Sequence, residues 1–378
     1  MKRTLAILLC LCLFLVACGK EPAPTTPSTT PSTAAPTTEA TAAPTTEPTT
    51  EPTTEPTTVP TTEPIVYYPH PLTGELLEEP MTTRPVAIVT NNYRDAQPVF
   101  GISHADIVFE HVTEGPGAET RMLAIYTDLY FEGQLGSIRS ARTYSAEIAA
   151  GFDAIFVHCG GSDYGMDRIK QLKLTTLNEY YNADYFYRDP ARKAAGYARE
   201  HILVTEWDLL HKGFAAKKHE LTVPEDTYYG LDFTDEAGLN GASAQTVDIQ
   251  YRSSKEGKHT IMTYNKDDGM YYGIQTWYKK QGTVGDGNTG EQVPFKNIII
   301  IKSVISGTPN GVNVYQQLTG SGDGYLIRDG EYIPIQWHKP TAKDYFTFTT
   351  EDGSPVTLGV GKTFVSILPT ISPEVIFE

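Results

Sequence analysis

Arginines spaced among small residues are suited to holding an anion, and this chain sets two of them three residues apart. In Gly136-Ser-Ile-Arg-Ser-Ala-Arg142, Arg139 and Arg142 flank Ser140, and Arg121 lies a short segment upstream. Guanidinium forks clasp phosphate, pyrophosphate or carboxylate through paired N–H donors. Ser140 reads as the N-cap of a helix with Ala141, Tyr144 and Ile148 on one face and Gly151 at its end. Residues 153–159 then read as a strand, and Gly160-Gly161-Ser162 as a turn capping a helix with Met166, Ile169 and Leu172. About a dozen residues between strands is the length of a helical crossover, which predicts a parallel βαβ unit with both strands ending at one crevice. Ligands of open α/β sheets sit in such crevices, where helix N-termini add unpaired amides. The expected anion site is therefore Arg121, Arg139, Arg142, Ser140, Gly160, Gly161 and Ser162. In the alternative reading these arginines pair with Asp106, Glu110 or Asp153 and brace the fold.

Other chemistry has less to build on. Glu110, Asp153 and His158 are the possible acid/base groups. Ser137, Ser140 and Ser162 lie near His158 in sequence, but Gly-x-Ser-x-Gly is absent. His104, Asp106, Glu110, His111 and His158 lack metal-ligand spacing, so neither a metal nor a cofactor is expected. On the strand at 107–112, Glu110 would take one face and His111 the other.

The N-terminus reads as an address. Lys2 and Arg3 precede an apolar run over residues 5–16, and Leu15-Val16-Ala17-Cys18 closes it. This resembles the bacterial lipoprotein signal, which implies cleavage before Cys18, acylation of that residue (palmitate among the acyl groups expected) and attachment to a membrane. The apolar run is too short to span a bilayer. With Cys10 and Cys12 removed and Cys18 lipidated, only Cys159 keeps a free thiol, and its place at the end of an apolar strand suits inert packing. Residues 19–64 are built from Thr, Pro and Glu, with Glu-Pro-Thr-Thr three times between Glu47 and Thr58. Such a segment cannot form a core and extends on the order of 140 Å at ~3.1 Å per residue. Its threonines are open to O-glycosylation or to none.

Residues 65–378 hold 40 acidic against 27 basic side chains, which argues against nucleic acid as a partner. Any anion site must be local. The expected organisation is a signal at 1–17, the lipidated Cys18 with its tether to 64, an α/β domain at 65–222 with a mixed sheet, a linker at 223–245 and a predominantly β domain at 246–378. In the first domain, strands are expected at 84–91, 107–112, 121–127 and 180–188, and a helix at 205–213 ended by Gly213. A glycine- and proline-bearing loop follows Glu114. In the second, candidate strands such as 259–264, 270–277, 297–304 and 332–338 are separated by Asp268-Gly269, Asn310-Gly311 and Asp329-Gly330 turns.

Several of these motifs together resemble a known family. Arg84-Pro-Val-Ala-Ile-Val-Thr-Asn-Asn92, Gly101-Ile-Ser-His-Ala-Asp-Ile-Val-Phe-Glu110, Gly136-Ser-Ile-Arg-Ser-Ala-Arg142 and Phe186-Tyr-Arg-Asp189 are similar to the YerB-like lipoproteins of Gram-positive bacteria. Arg328-Asp-Gly330, Trp337-His-Lys339 and Gly361-Lys-Thr-Phe364 fit that family's second domain. The resemblance implies a lipoprotein on the extracellular face of the cytoplasmic membrane and supplies no reaction. Relative to that pattern the loop after Glu114 is long and the stretch around His201 departs, which weakens a site role for either residue. A looser similarity, in the rhythm of Arg121-Met-Leu-Ala-Ile-Tyr-Thr-Asp followed by Gly136-Ser-Ile-Arg, is to the LytR–CpsA–Psr phosphotransferases, whose arginines bind the pyrophosphate of a lipid-linked glycan. Their Arg-x-Asp-Thr and acidic metal ligand are missing here. The leading expectation is a non-enzymatic surface lipoprotein that binds an anionic envelope component, such as a cell-wall or lipid-linked glycan. An envelope glycan or teichoic-acid transferase or hydrolase is the alternative, and a scaffold contacting other envelope proteins the second.

Overall fold

The computed structural model describes residues 66–114, 119–252, 257–277, 279–371 and 374–378. The expected signal, Cys18 and tether lie outside these residues, as does the loop at 115–118. The described residues all belong to one compact unit.

Its backbone is a long mixed sheet. The N-terminal half contributes β1 (Val86–Asn91), β2 (Ile107–Glu114), β3 (Glu119–Tyr126), β4 (Ile155–His158) and β5 (Thr176–Asn178). The C-terminal half contains β6 (Ala242–Ser243), β7 (Thr246–Gln250), β8 (Lys258–Asn265), β9 (Met270–Trp277), β10 (Asn297–Ser303), β11 (Gly320–Arg328), β12 (Glu331–Lys339), β13 (Thr363–Pro369) and β14 (Val375–Phe377). The large sheet runs β6-β12-β11-β10-β13-β2-β3-β1-β4-β5. The two halves meet where β13 pairs in parallel with β2, Thr363 opposite Ile107. A second, antiparallel sheet of β9, β8, β7 and β14, edged by Lys280–Thr283, packs on one face.

Alternation explains the layers. Val86, Ile88, Val108, Ile298 and Phe364 face the second sheet and share a core with Val247, Met262 and Tyr271. Their neighbours Ala87, Val89, Ile107, Phe109, Ile299 and Val365 face the other way, toward α1 (Thr143–Gly151) and α2 (Asp163–Leu172). Both faces of Asn297–Ser303 are thus covered, which is why its Ile-Ile-Ile-Ile run shows no alternation. The expected divergence of Glu110 and His111 holds. Glu110 points to the second sheet, where Lys258 Nζ lies at 2.8 Å, and His111 meets the Tyr144 ring of α1 at 4.6 Å.

The architecture matches the expected α/β half with a βαβ unit followed by a mostly β half. The unit is β4–α2–β5, with β4 and β5 parallel. The residues before α1 do not form its first strand. Leu135–Gly136 pairs antiparallel with Leu203–Thr205, and Ile138 bridges Thr90 antiparallel. Ser140 is not the cap of α1 either. That helix starts two residues later, with Arg142 at the N-cap and its amide donating to Ser145 Oγ at 2.9 Å. Ser162 caps α2 as expected, accepting from the Gly165 amide at 3.1 Å. The expected strand over 180–188 is two 3-10 turns and the short strand Tyr187–Arg188. The helix at 205–213 extends further, as α3 (Trp207–Lys217), and ends at Lys218 in the left-handed region. Gly213 lies inside α3 because a Cβ there would sit 2.8 Å from Leu177 Cδ2 and 2.9 Å from the Tyr185 ring.

Candidate anion-binding site

Strands β1, β2 and β4 all point the same way, so Asn91, Glu114 and His158 end at one edge of the sheet. The segment carrying Arg139 wedges in at that edge. Its amide donates to Val89 O at 2.9 Å and its carbonyl accepts from Cys159 N at 3.0 Å. Arg121, near the start of β3, reaches the same place. Arg121, Arg139 and Arg142 are thus brought to one edge.

Two of them meet on Glu114, a carboxylate whose site role the long loop after it had put in doubt. Arg121 Nη2 donates to Glu114 Oε1 at 3.0 Å, and Arg142 Nη2 bonds the same oxygen. Arg121 Nη1 also donates to Ser140 O at 2.7 Å, and Arg142 Nη1 to Ala141 O at 3.0 Å. Neither Asp106, Glu110 nor Asp153 takes part. Glu114 was hidden by a register shift between Val112 and Glu114, a bulge in β2. Strict alternation would put it beside Glu110, away from Arg121; the extra residue turns it to the arginine face.

The electrostatics follow from this crowding. Burial, then the Arg142 and Arg139 charges, bring the Arg121 guanidinium down to about 9, still protonated at neutral pH. Burial likewise lowers Arg139. Burial works to raise the Glu114 carboxyl, but Arg121 and Arg142 overcome it and hold it below its usual value.

Arg139 is the least engaged of the three. It is half-buried, with one bond to the Glu200 carbonyl at 3.3 Å, and it stands between two cavities. One, of about 250 Å³, is polar and is lined by Asn91, Thr120, Arg121, Glu200 and His201. The other, of about 520 Å³, is lined by Ser140, Cys159, Glu179, Tyr180, Arg188 and Arg199. The two linings together hold four guanidinium groups, Arg121, Arg139, Arg188 and Arg199, and three carboxylates, Glu119, Glu179 and Glu200, whereas the chain as a whole is acidic.

The backbone contributes less than expected. Gly160 N donates to Asn178 Oδ1 at 2.9 Å, and Ser162 N to Ala141 O at 3.3 Å. Gly161 lies beside Ala141 in a β-bridge. Gly160, Gly161 and Ser162 shape the edge while two of their amides are already taken.

The possible acid/base groups are not assembled. Glu110 is fully buried and accepts from Asn92 Nδ2, Thr120 Oγ1 and Thr260 Oγ1, each at 2.7 Å, besides pairing with Lys258. Asp153 is exposed and pairs with Arg84 at 2.9 Å, five residues or ~16 Å of chain before His158. His158 is held at Nδ1 by Gly160 O at 2.7 Å, and burial brings it down to about 4. Cys159 donates to Glu179 at 3.3 Å, and burial with that carboxylate pushes its thiol up to about 12, which fits inert packing. Among the described residues no cluster of His, Cys, Asp and Glu has metal-ligand geometry, and no helix is long and apolar enough to cross a membrane.

Comparison with known proteins places this edge in a family. Residues 72–220 match the N-terminal domain described as "Protein of unknown function (DUF3048)", and residues 247–365 match its C-terminal domain. The chain belongs to the YerB-like family. It is 29% identical over 303 residues to YerB of Bacillus subtilis (strain 168), designated a candidate lipoprotein, covering 80% of this chain and 86% of that one. The crystal structure of the Bacillus subtilis YerB protein superposes with a TM-score of 0.70 at 26% identity, over 82% of this chain and 99% of that chain. Family membership carries the fold and the two-part organisation; it brings no reaction to the arginine edge.

Proposed function

We propose that the protein is a lipoprotein, held through Cys18 at the extracellular face of the cytoplasmic membrane, whose α/β half binds an anionic envelope component. The ligand carries phosphate, pyrophosphate or carboxylate, and Arg121, Arg139 and Arg142 form the binding edge. The observation that supports this reading is the gathering of three guanidiniums at the strand ends, Arg121 and Arg142 bonded to Glu114 and Arg139 left lining both cavities. Arg139, between two cavities, makes the first contact with the ligand. Arg121 and Arg142 set the local potential from behind. Guanidinium contacts to an anion at a partly desolvated edge are charge-assisted and stronger than neutral hydrogen bonds.

Thermal-shift measurements on the ectodomain, with phosphate, pyrophosphate and acidic wall-glycan fragments, test the binding. At least one of these anions should raise the melting temperature, and Arg139→Ala with Arg142→Ala should abolish that response. No response, or an equal one in the double variant, removes the proposal. The anchor has its own test. Cys18→Ala should release the protein to the medium and abolish incorporation of an alkyne-labelled palmitate, and retention of both would contradict it.

A further inference from the structure

The larger of the two cavities contains a feature that an anion alone does not use. Tyr180 lies 72% exposed at its wall, beside the turn that follows β4. A Cβ on Gly160 would come within 2.4 Å of Tyr180 Cε2 and 2.8 Å of Cδ2, so the ring packs directly on the Gly160 backbone. Gly160 also has φ +58, a conformation that glycine adopts without strain. The Cδ2–Cε2 side of the ring is thus held against the glycine, and most of Tyr180 stays exposed at the cavity wall. Ile138 and Leu203 add apolar wall. The Glu179 and Glu200 carboxylates, which accept hydroxyl hydrogen bonds, and the Arg188 guanidinium complete the lining, with Arg188 Nη1 to Glu179 Oε1 at 3.3 Å. Arg139 and Glu200 belong to this cavity and to the polar one alike, so the two compartments adjoin.

We infer that the ligand of this edge is a sugar phosphate, its anionic group at Arg139 and its ring laid against the exposed ring of Tyr180. The inference rests on the anion-binding proposal and narrows it. A pyranose has an apolar face that stacks on an aromatic ring and a rim of hydroxyls that donate to carboxylates. The cavity offers both, Tyr180 and the Glu179 and Glu200 carboxylates, in the same lining as Arg139. A bare phosphate fills only the polar compartment.

Isothermal titration of the ectodomain with inorganic phosphate, glucose 1-phosphate and adenosine monophosphate separates the possibilities. Glucose 1-phosphate should bind about tenfold tighter than inorganic phosphate, and Tyr180→Ala should remove that gain while leaving phosphate affinity and melting temperature unchanged. Equal affinity of the two, or a gain that survives Tyr180→Ala, overturns the sugar inference and leaves the anion site standing. A gain for adenosine monophosphate alone also overturns it, in favour of a nucleotide. If no anion binds and Arg139→Ala changes nothing, the underlying anion site falls as well.

Discussion

Glu114 has two effects at once on the arginine edge. It neutralises part of the charge of Arg121 and Arg142, which makes their close approach tolerable, and it occupies the position an anionic ligand would seek. Glu114→Gln should therefore raise phosphate affinity by about tenfold and lower stability by roughly 1–3 kcal/mol, read by titration calorimetry and urea unfolding. Weaker binding in this variant would mean that Glu114 organises the arginines for the ligand and does not compete with it. Glu110 shows the opposite case, a carboxylate with every partner inside the fold. Removing its charge strands Lys258 between the Tyr251 and Trp277 rings, each 5.2 Å from the ammonium. Glu110→Gln should cost about 3–5 kcal/mol, and adding Lys258→Met should recover most of it. A loss under about 1 kcal/mol in the single variant would refute the account of this buried pair.

At the scale of elements, what could be read from sequence depended on whether neighbouring residues already determined the outcome. The aromatic and β-branched run at 270–277 marked a strand, and β9 has those bounds. Ser162 announced α2 because a cap is a local bond. Ser140 misled because Ser145, three residues after Arg142, supplies the cap bond from within the helix. The segment before α1 looked like a strand, yet its partner, Leu203–Thr205, lies more than sixty residues on, and nothing local encodes that pairing. The gathering of the arginines was legible and their contact with Glu114 was not, because one inserted residue in β2 reverses a face. Gly213 was read as a helix end, but close packing of α3 on Leu177 and Tyr185 is what requires it. Gly213→Ala should cost roughly 1–3 kcal/mol in equilibrium unfolding, although alanine is the better helix former. A stabilised variant would contradict that packing.

Across the whole molecule, β13 joins the sheet of the C-terminal half to β2, and Glu110–Lys258 ties the second sheet to the same strand. A fragment ending at residue 222 would expose the β2 edge and leave Glu110 buried without its ammonium. It should aggregate or fail to fold, while residues 66–378 unfold in one transition by circular dichroism and fluorescence alike. Acid should weaken this unit. Burial keeps His111 neutral down to about 3 and His158 down to about 4, whereas the unfolded chain takes those protons near 6.5. Their contribution is complete above pH 6.5 and drains away as pH falls toward 4. Asp106, raised to about 6 by burial, has the opposite sign, because folding favours its protonated form between pH 3.8 and 6, and it offsets part of the slope. Net melting temperature should fall between pH 6.5 and 4.5, and His111→Phe should flatten the fall. A flat profile in the unmodified protein would contradict the assignment.

The central claim is that guanidiniums at the strand ends give an acidic ectodomain one place for an anion. Its most direct measurement is the dissociation constant of pyrophosphate for residues 66–378 by calorimetry, at low and at high salt, with Arg139→Ala alongside. The account predicts saturable binding that weakens with salt and falls at least about tenfold in the variant. Absence of heat at low salt, or binding indifferent to Arg139, would contradict it.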